Sequence, residues 1–183
     1  MKRCSWVKLS NPLYIDYHDK EWGRPLHKEQ ALFELLCLET YQAGLSWETV
    51  LNKRQAFREA FYDYDPQKVA MMTDEALDKL LENPNIIRHR AKLYATRSNA
   101  RAYQTLLETY DSFSSYIWEF VGFKTQVNSV EHYTDLPSKT ELSERISKDM
   151  KRRGFRFVGP VCIYSFLQAA GLINDHENDC AFK

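Results

Sequence analysis

Three absences bound this chain before any motif is read. It lacks an apolar run of membrane-spanning length, which argues against a transmembrane helix. Its N-terminus, MKRCSWVKLSNP, carries basic residues but no apolar stretch behind them, so it does not read as a secretory signal. It also lacks net charge: Lys+Arg and Asp+Glu number 25 each, which argues against a general nucleic-acid coat protein while leaving room for a local basic face. Fixed-period repeats, low-complexity tracts and alternating β patterns are likewise missing or scarce. Without a signal, a cytoplasmic and reducing setting is expected. The four cysteines then read as thiols or metal ligands rather than disulfides.

What is present is a globular chain of 183 residues with 44% hydrophobic and 27% charged residues, long enough for one domain with a real core. Helical signals dominate. Leu32, Leu35, Leu36 and Cys37 recur at helical spacing between Lys28 and Tyr41. Ser46 is placed to cap a helix reaching about Phe61, and Asp65-Pro66 reads as a cap and first helical residue. Thr73 opens a further helix ending near Glu82. A long one is expected from about Arg88 to Glu108, then others from Phe113 to Val121, from Thr140 to Gly154 and from Pro160 to Gly171. Residues 122 to 139 are polar and aperiodic, a long loop. The expected class is all-α, a single domain over 1–183 with its termini folded back on it.

Three groups of residues carry chemistry. The first is Glu39 in LCLETYQAGLSW, in a neighbourhood holding Trp6, Tyr14, Tyr17, Trp22, Tyr41 and Trp47. Ring faces attract a flat cation and a carboxylate neutralises it and accepts its N–H hydrogens. The plainer alternative is core aromatics with Glu39 on a polar helix face. The second is the connection Asn83-Pro84-Asn85-Ile86-Ile87, followed by Arg88, Arg90, Lys92, Arg97 and Arg101 with no acid between Ile86 and Arg101. The N-terminus of the following helix suits a phosphate, and Asn85 stands where DNA-binding hairpins usually carry glycine. An ordinary αα-hairpin with a solvated basic face is the alternative. A second basic cluster, Lys151, Arg152, Arg153 and Arg156, reads first as cations suiting a helix C-terminus. The third group is Cys4 and His18 near one end with His176 and Cys180 near the other, a set that would make a closed tetrahedral site of Cys2His2 type. Two unrelated thiols and two surface histidines are the alternative.

RCSWV, PLYIDYHDKEWG, LFELLCLETYQAGLSWETVL, NIIRHRAKL and KRRGFRFVGPVCIYSFLQAAGLINDH with the following Cys180 together resemble the 3-methyladenine DNA glycosylase I family of the helix–hairpin–helix glycosylases, over nearly the whole chain. The resemblance implies a monofunctional base-excision repair enzyme that flips its target nucleotide, hydrolyses the N-glycosidic bond of 3-methyladenine and leaves an abasic site. It implies that Glu39 recognises the base, that Tyr14 and Tyr17 contact it, that Trp47 stacks on it, and that Trp6 and Trp22 complete the aromatic box. Gly44 and Leu45 would plug the gap left in the duplex, and Asn85, Ile86, Ile87 and Arg88 would grip phosphates within a helix–hairpin–helix at about 74–108. Cys4, His18, His176 and Cys180 would hold one structural zinc ion joining the terminal segments 1–22 and 172–183. Double-stranded alkylated DNA is the implied partner, met by a monomer. Asp175, beside His176, is placed with the metal region and given no catalytic role. Two rivals remain open: a non-catalytic nucleic-acid binding module, which would bind methylated duplex without releasing base, and a binder of small aromatic cations, which would lack DNA affinity even at low salt.

Overall fold

Most of the helices begin where a side chain supplies a cap. The computed structural model describes all 183 residues, Met1–Lys183. Its helices are α1 Pro12–Lys20, α2 Glu29–Gln42, α3 Trp47–Asn52, α4 Arg54–Ala60, α5 Pro66–Ala70, α6 Asp74–Leu80, α7 Arg90–Leu106, α8 Phe113–Glu119, α9 Glu141–Arg152 and α10 Pro160–Ala169. Side chains of Asn11, Ser46, Asp65, Thr73, His89, Ser112 and Thr140 accept hydrogen bonds from first-turn N–H groups, pairing donors a helix leaves free. Pro12, Pro66 and Pro160 each stand in the first turn, where a missing N–H costs nothing.

The all-helical expectation holds, with local differences. The helix expected from Ser46 to Phe61 is broken at Lys53, which ends α3 and starts α4. The break lets Trp47 approach Tyr17 while Phe57 stacks on Tyr41 at 4.3 Å. The long basic helix begins at Arg90 rather than Arg88, because His89 accepts the N–H of Lys92 and becomes the cap. Within the expected loop, β1 Gln126–Val127 pairs in parallel with β2 Ile173–Asn174. No helix is long and apolar enough to cross a membrane.

α2 is the centre of the core. Ten of its residues are buried, from Leu32 through Tyr41, as befits a helix apolar all round. α3, α7, α8 and α10 pack on it. Its three acids are five residues apart and differ in fate. Glu29 accepts the N–H groups of Phe113 and Ser114 at 2.9 and 2.8 Å, fixing the start of α8. Glu34 is paired with Arg54 and Arg58, each at 2.7 Å. Glu39 is buried with no such partner.

Two glycines bring the terminal segments together. Gly23 (φ +73°) donates its N–H to the Gln168 carbonyl at 2.9 Å, and a Cβ there would stand 2.6 Å from the His176 ring. Gly171 (φ +72°) leaves no room for a Cβ against the Arg24 carbonyl. The close crossing sets Trp22 beside His176, ring centres 4.6 Å apart.

Candidate active site and metal cluster

On α1, Tyr14, Tyr17 and His18 share one face because they are three and four residues apart. Tyr17 meets Trp47 of α3 at 5.1 Å between ring centres. Trp6 lies 5.7 Å from Tyr14, 4.9 Å from Trp22 and 6.0 Å from Tyr133. These six rings and Glu39 line a cavity of about 180 Å³, completed by Gln42, Ser165 and Gln168. Sites for drug-sized ligands run to about 300–1,000 Å³; this one suits a single base.

The wall is rich in polar groups left without partners. Glu39 makes no hydrogen bond, and burial alone pushes its carboxyl up to about 8. The indole N–H groups of Trp6 and Trp47 are buried with no acceptor. Burial raises the hydroxyls of Tyr14, Tyr17 and Tyr133, none of which is hydrogen-bonded. Unpaired buried polar groups cost stability, so such a concentration points to a polar guest. A cation seated on the rings would bring the Glu39 carboxyl down again by its charge.

All six residues expected to form the base pocket are in this cavity. Four lining residues were not foreseen. Gln42 lies three residues after Glu39, and Ser165 and Gln168 lie three apart on α10, so helical spacing held a signal. Tyr133 sits in the aperiodic segment, where no pattern marks it.

A groove of about 480 Å³ adjoins the cavity and shares Glu39, Gln42 and Ser165 with it. Leu45, Phe157 and Val161 stand exposed along it. Gly44 (φ +79°) makes the turn that presents Leu45, in open space that would accept a side chain but not without backbone strain. Lys92 fixes this turn: its buried ammonium donates to the carbonyls of Tyr41 and Ala43 at 2.8 and 2.6 Å, closing the end of α2. Phe157, in the connection between α9 and α10, has φ +57° and meets the His89 ring edge-on. The connections α6–α7 and α9–α10 thus converge beside the groove.

The basic stripe on α7 is mostly spent on packing. Arg97 bonds to Asp74 and the Met72 carbonyl, Arg101 to the Ala70 carbonyl and Arg90 to Asp78. Lys92 serves α2. Arg88 is exposed and bears no ion pair, as do Lys151 and Arg156. Arg152 and Arg153 are held by Asp149. Asn85 is exposed in a turn closed by Asn83, and its φ is not positive, so the tolerance of asparagine for that conformation is not used. Ile86 is core and Ile87 half-buried, so both anchor the turn.

Cys4, His18, His176 and Cys180 are all buried, with their ligand atoms within 4.8 Å of one another. Each histidine is oriented through Nδ1: His18 by Asp19 at 2.7 Å and His176 by Asn174 at 2.8 Å. That leaves the Nε2 atoms for the cluster, and Nε2 of His176 is buried without a partner. Burial above all, with Cys180 beside it, pushes the Cys4 thiol up to about 12, and burial above all, with His18 beside it, brings His176 down to about 4. A dication would reverse the first and use the neutral imidazole of the second. Asp175 is not among these ligands; it turns toward α10 and the wall of the cavity.

A mainly helical body thus carries a groove leading to a base-sized, aromatic, carboxylate-bearing cavity. The model of the methyladenine glycosylase family matches residues 6–183, and the chain belongs to that family. It is 50% identical to DNA-3-methyladenine glycosylase of Haemophilus influenzae over 99% of this chain and 97% of that protein. It is 47% identical to DNA-3-methyladenine glycosylase 1 of Escherichia coli over 98% of this chain and 96% of that one. A solved structure of 3-methyladenine DNA glycosylase I from Staphylococcus aureus, determined for its recognition of 3-methyladenine, superimposes with a TM-score of 0.96 at 44% identity, covering 100% of this chain and 97% of the other.

Proposed function

We propose that this protein removes 3-methyladenine from alkylated double-stranded DNA by hydrolysing the N-glycosidic bond and leaving an abasic site. The observation that carries the reading is Glu39, the one acid of α2 without a partner, set in an aromatic cavity of base size. Family membership supports it across nearly the full chain.

The target nucleotide must leave the stack before the cavity can reach its base. Methylation at N3 makes the base cationic, weakens its pairing and weakens its bond to the sugar, and the base departs neutral. Little general-acid help is then needed. Glu39 and the rings of Trp6, Tyr14, Tyr17, Trp22 and Trp47 select and orient the cation. They must not hold it too tightly, since binding shared by ground and transition states does not raise turnover. Leu45, presented by Gly44, is the apolar plug that replaces the lost stacking. Arg88 and the turn at Asn85–Ile87, together with the α9–α10 connection, form the phosphate-facing rim. Lys92 is spent on carbonyls and is not free to form a Schiff base, in keeping with a monofunctional enzyme; we take the protein to act as a monomer.

Cys4, His18, His176 and Cys180 fit one zinc ion. Two thiols and two pre-oriented imidazoles, one of them with an orphaned Nε2, would fill a closed four-ligand set and make the ion structural. Its contribution is to fasten the segment carrying Trp6 to the C-terminal segment.

Incubation with methylated duplex DNA and measurement of free 3-methyladenine tests the function. Release by wild type is expected. Binding of the duplex without release would favour the non-catalytic module instead. Unchanged release by Glu39→Ala would remove the role given to Glu39.

A further inference from the structure

The connection between α9 and α10 is held more firmly than an exposed turn requires. Asn99 of α7 is fully buried, and both ends of its amide serve one residue of that turn. Its Oδ1 accepts the Arg156 N–H at 2.7 Å, and its Nδ2 donates to the Arg156 carbonyl at 3.2 Å. Ser147 of α9, also buried, donates its hydroxyl to the Val158 carbonyl at 2.6 Å. Phe155 and Val158 are core residues on either side. Between these anchors stands Phe157, with φ +57° and 42% exposed. A bulky residue rarely takes that backbone conformation, and it persists where the surroundings over-determine it. At a surface turn, water could satisfy the same backbone groups without burying an amide and a hydroxyl. Two buried polar side chains are thus used to fix an apolar ring that the fold leaves exposed.

We propose that Phe157 is a second wedge, entering a base step of the duplex beside the extruded nucleotide, and that Asn99 positions it. This deepens the proposed function and rests on it. Two observations make duplex DNA the partner. Phe157 lines the same groove as Leu45, and the groove meets the aromatic cavity at Glu39, Gln42 and Ser165, so a nucleotide reaching the cavity passes beside both. Arg156 precedes Phe157, and Arg88 precedes the His89 ring on which Phe157 packs. Both arginines are exposed and carry no ion pair, a charge that the phosphates beside an opened step would match. A flat ring stacks on any base, so the wedge demands no sequence. Its insertion would unstack the step and kink the duplex, and a ring fixed in advance loses less freedom on binding than a mobile one. Phe157 touches the DNA; Asn99 acts through it and is a positioning residue.

The test uses the full-length protein and a duplex carrying a tetrahydrofuran abasic analogue, with 2-aminopurine placed on one side of it or the other. The fluorescence of 2-aminopurine rises when it is unstacked. Wild type is expected to brighten the probe on one side of the analogue. Phe157→Ala is expected to lose that signal and to weaken duplex binding about ten-fold, the loss of one base–aromatic contact. Phe157→Leu keeps an apolar wedge and should keep most of the signal. Asn99→Ala should weaken duplex binding in the wild-type background and have no further effect in Phe157→Ala, a coupling that general damage to the fold would not give. A probe that stays dark on both sides, or a signal unchanged in Phe157→Ala, overturns the proposal. Equal losses from Asn99→Ala in both backgrounds overturn the role of Asn99, and the Phe157 variants decide alone if Asn99→Ala fails to fold. Release of 3-methyladenine from methylated duplex is measured alongside: no release by wild type overturns the proposed function itself, whereas release with an unaltered probe signal in Phe157→Ala overturns this inference alone.

Discussion

Replacing Glu39 by Gln keeps the shape of the side chain and removes its charge, so stability isolates what burial does to the carboxyl. Burial holds it at about 8, against 4.5 for the ordinary group. Between those values the folded chain keeps a proton that the unfolded chain has lost. This raised carboxyl therefore contributes its full stability below about pH 4.5, and that contribution is lost as pH rises through 8. At about 1.4 kcal/mol for each pH unit of separation, ionisable Glu39 costs roughly 3 kcal/mol at pH 7 and roughly 5 kcal/mol above pH 9. Both are upper limits, because the carboxylate borders a cavity that admits water. For a chain of this size 1 kcal/mol moves Tm by about 2–4 °C. Thermal melts of wild type and Glu39→Gln from pH 4.5 to 9 are expected to coincide at the acid end and then separate. The variant should be the more stable by roughly 6–12 °C at pH 7. The same variant is expected to lose affinity for the cationic base, so stability and recognition move in opposite directions. Parallel curves across the whole window would refute the reasoning, since they would mean that the carboxyl is solvated or paired in the free protein.

Four further outcomes are expected. Chelation, or Cys180→Ser, should lower Tm by roughly 10 °C or more if an ion sits in the Cys/His cluster, and elemental analysis of the purified chain should find one zinc. Leu45→Ala should slow release from methylated duplex roughly ten-fold, for want of the plug, while binding of free 3-methyladenine, read by fluorescence, stays the same. Arg88→Ala should reduce the slope of log K against log salt for duplex binding by about 1. Lys92→Met removes the donor that closes α2 and holds the Gly44–Leu45 turn; it should cost about 2 kcal/mol in urea unfolding and lower duplex cleavage more than base affinity.

Helix existence was legible because caps and apolar spacing are local: Ser46, Asp65, Thr73 and Thr140 all start helices where expected. What is set by distant contacts was not. The break at Lys53 answers to Tyr17 and Tyr41, which lie far away in the chain. The basic stripe on α7 looked like a phosphate face because composition cannot reveal that Met72, Asp74, Asp78 and Ala70 stand opposite it. Tyr133 reaches the cavity from a segment tied down by the β1–β2 pair and by Glu177, and neither contact leaves a periodic trace.

The three acids of α2 show why partners, rather than residue type, locate the chemistry. Glu29 and Glu34 lie on the same helix as Glu39, yet one anchors a helix start and the other binds two arginines. Only Glu39 is left to a guest. The cavity around it depends on side chains from both ends of the chain, and Glu177 ties these ends together. Its carboxylate accepts the N–H of Ser5 at 2.7 Å and of Tyr133 at 2.9 Å, while its own N–H reaches Cys4 Sγ at 3.4 Å. Trp6 follows Ser5, and Tyr133 packs on Trp6. The Cys/His cluster and the aromatic wall are thus mechanically one unit. An ion bound in the cluster would stiffen the face on which a base would stack, without touching the base. Loss of that ion should accordingly weaken base binding even at temperatures where the helical core, centred on α2, stays folded.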